Sequence, residues 1–129
     1  MPEKKTILII EPYSMLRDAY TEYFTTNGYS VIEYATGEGL ETFCRENSFD
    51  LVMVNIEYAG LPGFDLIKEI KILVPHVKTI GIAFNYFKPH ADTLKEIGAD
   101  GYLLNTISPK ILLQVVGEVA AGKQYYIER

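Results

Sequence analysis

The sequence predicts an α/β domain: a doubly wound, five-stranded parallel sheet with five helices, in three αβα layers. Two observations carry that expectation. Five short aliphatic runs recur along the chain, and amphipathic stretches long enough for crossover helices lie between them. The first, third and fourth runs are apolar almost throughout, as strands covered on both faces must be.

The first run, "TILII" (6–10), leads into "MLRDAYTEYFTTNG", which puts Leu16, Ala19, Tyr20, Tyr23 and Phe24 on one helical stripe and stops at Asn27-Gly28. "SVIEYA" (30–35) reads as the second strand, and "EGLETFCREN" places Leu40, Phe43 and Cys44 on one face. "DLVMVN" (50–55) is the third strand. "FDLIKEIKILVP" repeats the helical spacing with Phe64, Ile67, Ile70 and the stem of Lys71, and ends before Pro75. "TIGIAF" (79–84) and "GYLLN" (101–105) bracket "HADTLKEIGAD", a short helix closed at Gly98. The last helix, "SPKILLQVVGEVAAG", has Ser108 as N-cap, Pro109 at its first position and Gly122 at its end. Right-handed crossovers join these units. The expected domain is residues 1–122, and "KQYYIER" (123–129) reads as an unpackaged tail or the start of a linker.

The 129 residues suit one domain, and 48% hydrophobic with 22% charged residues is an ordinary globular balance. Twelve basic against seventeen acidic residues leave a net charge of −5. With no basic block longer than Lys4-Lys5, nucleic-acid binding through this domain itself is not expected. The single cysteine, Cys44, has no internal disulfide partner and agrees with a reducing, cytoplasmic setting; it reads as a small semi-buried hydrophobe. Ile7–Ile10 is too short for a signal sequence before Glu11 interrupts it, and no run approaches the length of a membrane span.

In an open parallel sheet, ligands gather beyond the carboxyl ends of the strands. That singles out Glu11, Pro12, Asn55, Ala83 and Asn105. Around these positions the chain resembles the receiver domain of response regulators, of the NarL/FixJ type. The resemblance is carried by "ILIIEPYSMLRDAY", by "FDLVMVNIEYAGLPGFDLIKEI" and by "KEIGADGYLLNTISPKILLQVVGEVAAG", and it covers about residues 6 to 122. It implies a flavodoxin-like fold and two-component or phosphorelay signalling. It also implies an acceptor aspartate ending the third strand, Mg²⁺ held by an acidic pair ending the first, a switch hydroxyl on the fourth and a lysine on the fifth.

Each of those groups has a physical purpose. An acyl phosphate needs a carboxylate nucleophile, Mg²⁺ wants carboxylate oxygens plus water, and the transferring phosphoryl charge must be offset by a cation and donors. The resemblance places Asn55 at the acceptor position, Glu11 and Pro12 at the acidic pair, Ala83 at the hydroxyl and Asn105 at the lysine. Nucleophile, most metal ligands, hydroxyl and counter-charge are therefore absent together. The expectation is a degenerate receiver, not an enzyme, with Mg²⁺ binding weak or absent and no other cofactor. Clustered carboxylates repel, so their replacement should favour one metal-independent state read by a partner protein.

Other features carry smaller expectations. Glu57 could join Glu11 in a makeshift cation site, but reads better as a solvated loop glutamate. Asp50 and Asp65 read as structural, and His76 and His90 as surface residues in turns. Tyr102 matches the receivers' switch aromatic and is expected packed, since Ala83 offers it no hydroxyl. Phe84, Tyr86 and Phe87 are expected over the site, filling the space a phosphate would occupy in preference to lining a small-molecule pocket. The last helix carries Ile111, Leu112, Leu113, Val115, Val116 and Val119, more than one buried face needs, which leaves two readings open, a homodimer through the surface near that helix or a helix edge packed under the tail. Two alternatives stay open: the receiver part of a DNA-binding regulator whose helix-turn-helix lies beyond Arg129, and residual phosphoryl acceptance at a substitute residue.

Overall fold

The computed structural model describes residues 4–128. Strand and helix alternate as β1 (Thr6–Ile10), α1 (Ser14–Thr26), β2 (Ser30–Tyr34), α2 (Leu40–Glu46), β3 (Leu51–Asn55), α3 (Gly63–Leu73), β4 (Lys78–Ala83), α4 (Lys88–Glu96), β5 (Gly101–Leu104), α5 (Pro109–Ala120) and β6 (Tyr125–Tyr126). The sheet is parallel throughout, in the order β2-β1-β3-β4-β5-β6. The chain reverses its winding between β1 and β3, so the crevice for a site opens there.

Strand periodicity divides the core in two. Leu8, Ile10, Val52 and Val54 face α2, α3 and α4, where Leu40, Ile67, Ile70 and Leu94 meet them. Ile7, Ile9, Leu51, Met53, Ile80 and Ile82 face α1 and α5, against Tyr20, Phe24, Leu112 and Val116. Neighbours in one strand thus enter opposite cores, which explains the unbroken aliphatic runs. Each such side chain, fully buried, stabilises the fold by about 1.5–3 kcal/mol. Aspartates pin the strand starts: Asp50 accepts from the Thr6 N–H (2.8 Å) and Asp100 from the Thr79 N–H (2.9 Å). Ser108 caps α5 by accepting from the Ile111 N–H at 3.3 Å. Asp65 lies in the first turn of α3, where its charge suits the helix dipole.

Three details differ from the sequence reading. First, the sheet gains a sixth strand from residues read as an unpackaged tail. The Tyr125 N–H donates to Asp100 O (3.0 Å) and the Ile127 N–H to Tyr102 O (2.9 Å). The Tyr126 hydroxyl donates to Ala99 O, while Lys95 Nζ lies 5.1 Å from the centre of the Tyr126 ring. Without this segment β5 would be a bare edge of unpaired backbone groups. Second, α5 spends most of its aliphatic residues in the core: Leu112, Val115, Val116 and Val119 are buried, and of the apolar strip only Ile111 is exposed. On α1, Ala19 is exposed although it shares the expected stripe. Third, His90 sits in the first turn of α4, half-buried between Phe64 (5.4 Å between ring centres) and Phe87 (4.8 Å), whereas His76 is exposed.

Gly63 opens α3 directly behind the carboxyl end of β3. A Cβ there would lie 2.7 Å from Asn55 O and 3.0 Å from Ile56 Cα, both backbone atoms that cannot step aside. Gly63→Ala should therefore cost about 1–3 kcal/mol of unfolding free energy by overpacking. Gly117→Ala, which meets nothing within 4 Å on α5, should gain about 0.5–1 kcal/mol. Denaturant titration of the pair checks this, and a neutral Gly63→Ala would contradict the close approach.

Burial, with the Asp100 charge adding to it, pushes the Tyr126 phenol up to about 12. The folded chain then holds this proton more tightly than the unfolded chain. The stabilisation is complete below the ordinary tyrosine value of about 10 and is lost as pH rises through the folded value. Urea unfolding at about pH 9 and about pH 11 should show a smaller alkaline loss in Tyr126→Phe than in the parent chain.

Candidate functional site

At the carboxyl ends of β1 and β3 the two side chains singled out by the sequence meet. Asn55, 3% exposed, donates from Nδ2 to Glu11 Oε2 at 2.9 Å. Its Oδ1 accepts from the N–H groups of Glu57 (2.9 Å) and Tyr58 (3.0 Å), starting the loop to α3 as an Asx turn. The amide can face only one way: its NH₂ toward the carboxylate, its oxygen toward two backbone donors. Glu11, 2% exposed, also accepts from the Tyr13 N–H at 3.1 Å on the same oxygen. Arg17 caps the strand end, not the carboxylate: its Nη1 donates to Glu11 O (2.7 Å) and more weakly to Pro12 O (3.5 Å).

Glu57 takes a place that neither sequence reading gave it. Its carboxylate crosses to the β4–α4 loop and accepts from the Phe84 N–H (2.6 Å) and the Asn85 N–H (3.2 Å). Two successive backbone N–H groups form an anion-binding concavity, and here the chain's own carboxylate fills it. The same loop is held from behind by Tyr102, whose hydroxyl donates to Asn85 O (3.3 Å) and accepts from the Phe87 N–H (3.0 Å). Tyr102 is fully buried and stacks on Tyr86 with ring centres 6.0 Å apart. Burial raises its pKa; the Phe87 hydrogen bond works against that, and the nearby Glu57 and Tyr86 add to it. The phenol stays neutral and able to donate.

The rings over the site are not the three expected. Only Phe84 faces it; Tyr86 lies against Tyr102, and Phe87, half exposed, against His90. The other two walls are Tyr13 and Tyr58, which the aliphatic pattern gave no cause to pick out. Tyr13 stands edge-on to Tyr58 (5.2 Å, 86°) and to Phe84 (6.1 Å, 77°). Together with Asn55, Glu57 and Asn85 these rings line a cavity of about 360 Å³.

The remaining candidates lie apart from that cavity's lining. Ala83 is buried with an apolar side chain, and Pro12 offers no side-chain ligand. The Asn105 N–H donates to Ala83 O (2.8 Å), but the residue lines a second hollow of about 550 Å³ between α1 and α5, beside Tyr20 and Leu112. Tyr20 there has its hydroxyl buried without a partner, and burial followed by the Glu11 charge pushes its pKa up. A hard divalent cation at the strand ends would need several oxygen ligands. Asn55 Oδ1 is committed to two N–H groups, each Glu57 oxygen already holds a loop N–H that turns it from the strand ends, and only Glu11 Oε1 receives no hydrogen bond from the described residues. That donor set does not fit Mg²⁺, and among the described residues no group of three or more His, Cys, Asp or Glu could hold a metal.

Comparison with known proteins agrees with this architecture. A sequence model described as the response regulator receiver domain matches residues 7–117. The chain is 23% identical over 121 residues to the response regulator UvrY of Escherichia coli K12, covering 92% of this chain and 56% of that protein. It is 24% identical to the nitrate/nitrite response regulator protein NarL of the same organism, covering 98% and 59%. The chain thus spans little more than half the length of these relatives. Among solved structures, a CheY-like receiver domain protein from Methanospirillum hungatei JF-1 superposes with a TM-score of 0.84 at 26% identity, covering 92% of this chain and 95% of that one. Matching fold and a family match over most of its length lead to one conclusion: the chain belongs to the response regulator receiver domain family, the receiving module of two-component signalling.

Proposed function

We propose that this receiver works without phosphorylation, as a pseudo-receiver that a protein partner reads in a single conformation. The observation that carries the reading is the hydrogen bond from Asn55 to Glu11. An amide there is a very poor nucleophile, and its hydrogen bond solvates in place the carboxylate that would otherwise call for a cation. The Glu57 carboxylate adds support, because it fills the backbone N–H pair just after β4 where an arriving anion would be held. In this reading the domain is not an enzyme and uses neither Mg²⁺ nor another cofactor. It acts in the cytoplasm, and binds neither nucleic acid through its own surface nor membrane. Phosphoryl acceptance at a substitute residue has less support, since the nearest carboxylates, Glu11 and Glu57, are both engaged as hydrogen-bond acceptors.

A second reading is favoured by one observation: the chain spans 56% of UvrY and 59% of NarL. On this reading the domain is the receiver part of a longer transcription regulator with a DNA-binding output domain. A homodimer near α5 has narrower support than the sequence alone offered, resting on the exposed Ile111.

Incubation with acetyl phosphate and Mg²⁺ should leave the intact mass of the chain unchanged; a gain of one phosphoryl group would overturn the reading. Asn55→Asp should place two carboxylates at the present 2.9 Å contact. It should lower stability in metal-free buffer by about 1–3 kcal/mol, read from denaturant unfolding. A variant as stable as the parent would remove the argument that the amide relieves charge at the site.

A further inference from the structure

The cavity over Asn55 has a composition that loss of phosphate chemistry does not require. Tyr13, Tyr58 and Phe84 remain 46%, 38% and 44% exposed, although rings of that size are usually drawn into a core. They are not scattered. Tyr13 stands nearly perpendicular to both of the others, so the three rings form a corner opening to solvent. The rest of the lining is Asn55, Glu57 and Asn85, with no Lys, Arg or His. Among the described residues neither Glu57 nor Glu11 takes part in an ion pair. Each Glu57 oxygen receives one backbone N–H and keeps a further lone pair.

Aromatic faces beside a carboxylate outside any ion pair are the surroundings an organic cation prefers, since the negative ring face and the carboxylate attract the same sign. We infer that the cavity formed by Tyr13, Tyr58, Phe84 and Glu57 binds the guanidinium group of an arginine presented by a partner protein. Guanidinium fits better than a metal ion because the oxygen set is too sparse and the walls too apolar. It fits better than a quaternary ammonium because unfilled acceptors at Glu57 call for a planar ion with several donors. The chain's own Arg17 is not the occupant, being bound to the carbonyls of Glu11 and Pro12. A net charge of −5 draws a basic partner segment toward this surface. The inference deepens the protein-partner reading, and it is independent of whether phosphoryl transfer is lost.

The test is a titration of the ¹⁵N-labelled chain with N-acetyl-arginine amide, its neutral isostere N-acetyl-citrulline amide, N-acetyl-lysine amide and tetramethylammonium. The arginine probe should give saturable shifts at Tyr58, Phe84 and Asn85, with citrulline about tenfold weaker or undetectable. Tyr58→Leu and Tyr13→Leu should each weaken arginine binding about two- to fivefold, as expected for one half-exposed cation–π wall. The comparison of probes on the parent chain stands even where a ring variant folds poorly. Equal binding of arginine and citrulline, no saturable shifts, or shifts mapping elsewhere would overturn the site. Equal or tighter binding of tetramethylammonium or lysine would overturn the guanidinium assignment. Either result would leave the acetyl phosphate outcome unaffected, so the two readings fail separately.

Discussion

The arrangement at the mouth of the sheet depends on one amide placed between a buried carboxylate and two backbone donors. Asn55 gives a proton to Glu11 and receives two from the start of the loop to α3. With an aspartate in its place, two carboxylate oxygens would meet at hydrogen-bonding distance inside a low-dielectric crevice, an arrangement that needs a cation or a proton. With asparagine the same atoms satisfy one another. β1, β3 and the following loop are joined by these hydrogen bonds without a second charge, and Glu11 can stay buried because the amide and the Tyr13 N–H solvate it.

From that point the constraint passes to the next loop. Asn55 fixes the backbone at Glu57, Glu57 takes the N–H groups of Phe84 and Asn85, and Tyr102 holds Asn85 and Phe87 from the far side. The Asn55 turn is local, but the bonds of Glu57 and Tyr102 join loops and strands far apart in sequence, so they form only once the sheet is assembled. Once formed they tie β3, β4 and β5 together at one end. A loop held at both its front and its back has little freedom to adopt a second arrangement.

The fold was largely legible in the sequence because its signals are local. Aliphatic runs, helical stripes, the Ser108 cap and the Gly98 stop each depend on residues a few positions apart, and Gly98 does take the left-handed backbone (φ 81°) that closes a helix. The placement of Glu11 and Asn55 together follows from the strand order. What escaped depends on tertiary distance. Nothing near Glu57 in the sequence says that its carboxylate will reach N–H groups at positions 84 and 85. The aromatic residues Tyr13 and Tyr58 lie in loops, where no periodicity reports which way they face. The two-residue strand at Tyr125–Tyr126 has no pattern of its own, and its pairing is imposed by the open edge of β5. Asn55 itself could have given its loop role away, since an asparagine ending a strand is well suited to an Asx turn.

The crevice is dictated by topology, because it comes from the reversal of winding between β1 and β3 and not from the charged groups in it. With an amide at position 55, such a hollow can collapse, fill with side chains or acquire other contacts. Here Ala83 and Pro12 add no polar group, and the rings of Tyr13, Tyr58 and Phe84 stand around the opening without closing it, leaving about 360 Å³. Filling by collapse would have taken those rings out of solvent, and they remain about half exposed. The carboxylate that survives at the rim, Glu57, is held in fixed geometry by two N–H groups, so it is already positioned before anything binds. Preorganised charge beside exposed π surface lowers the ordering cost of recognition, which is the physical basis for placing the proposed arginine site at this mouth and not at the narrow apolar edge of Ile111.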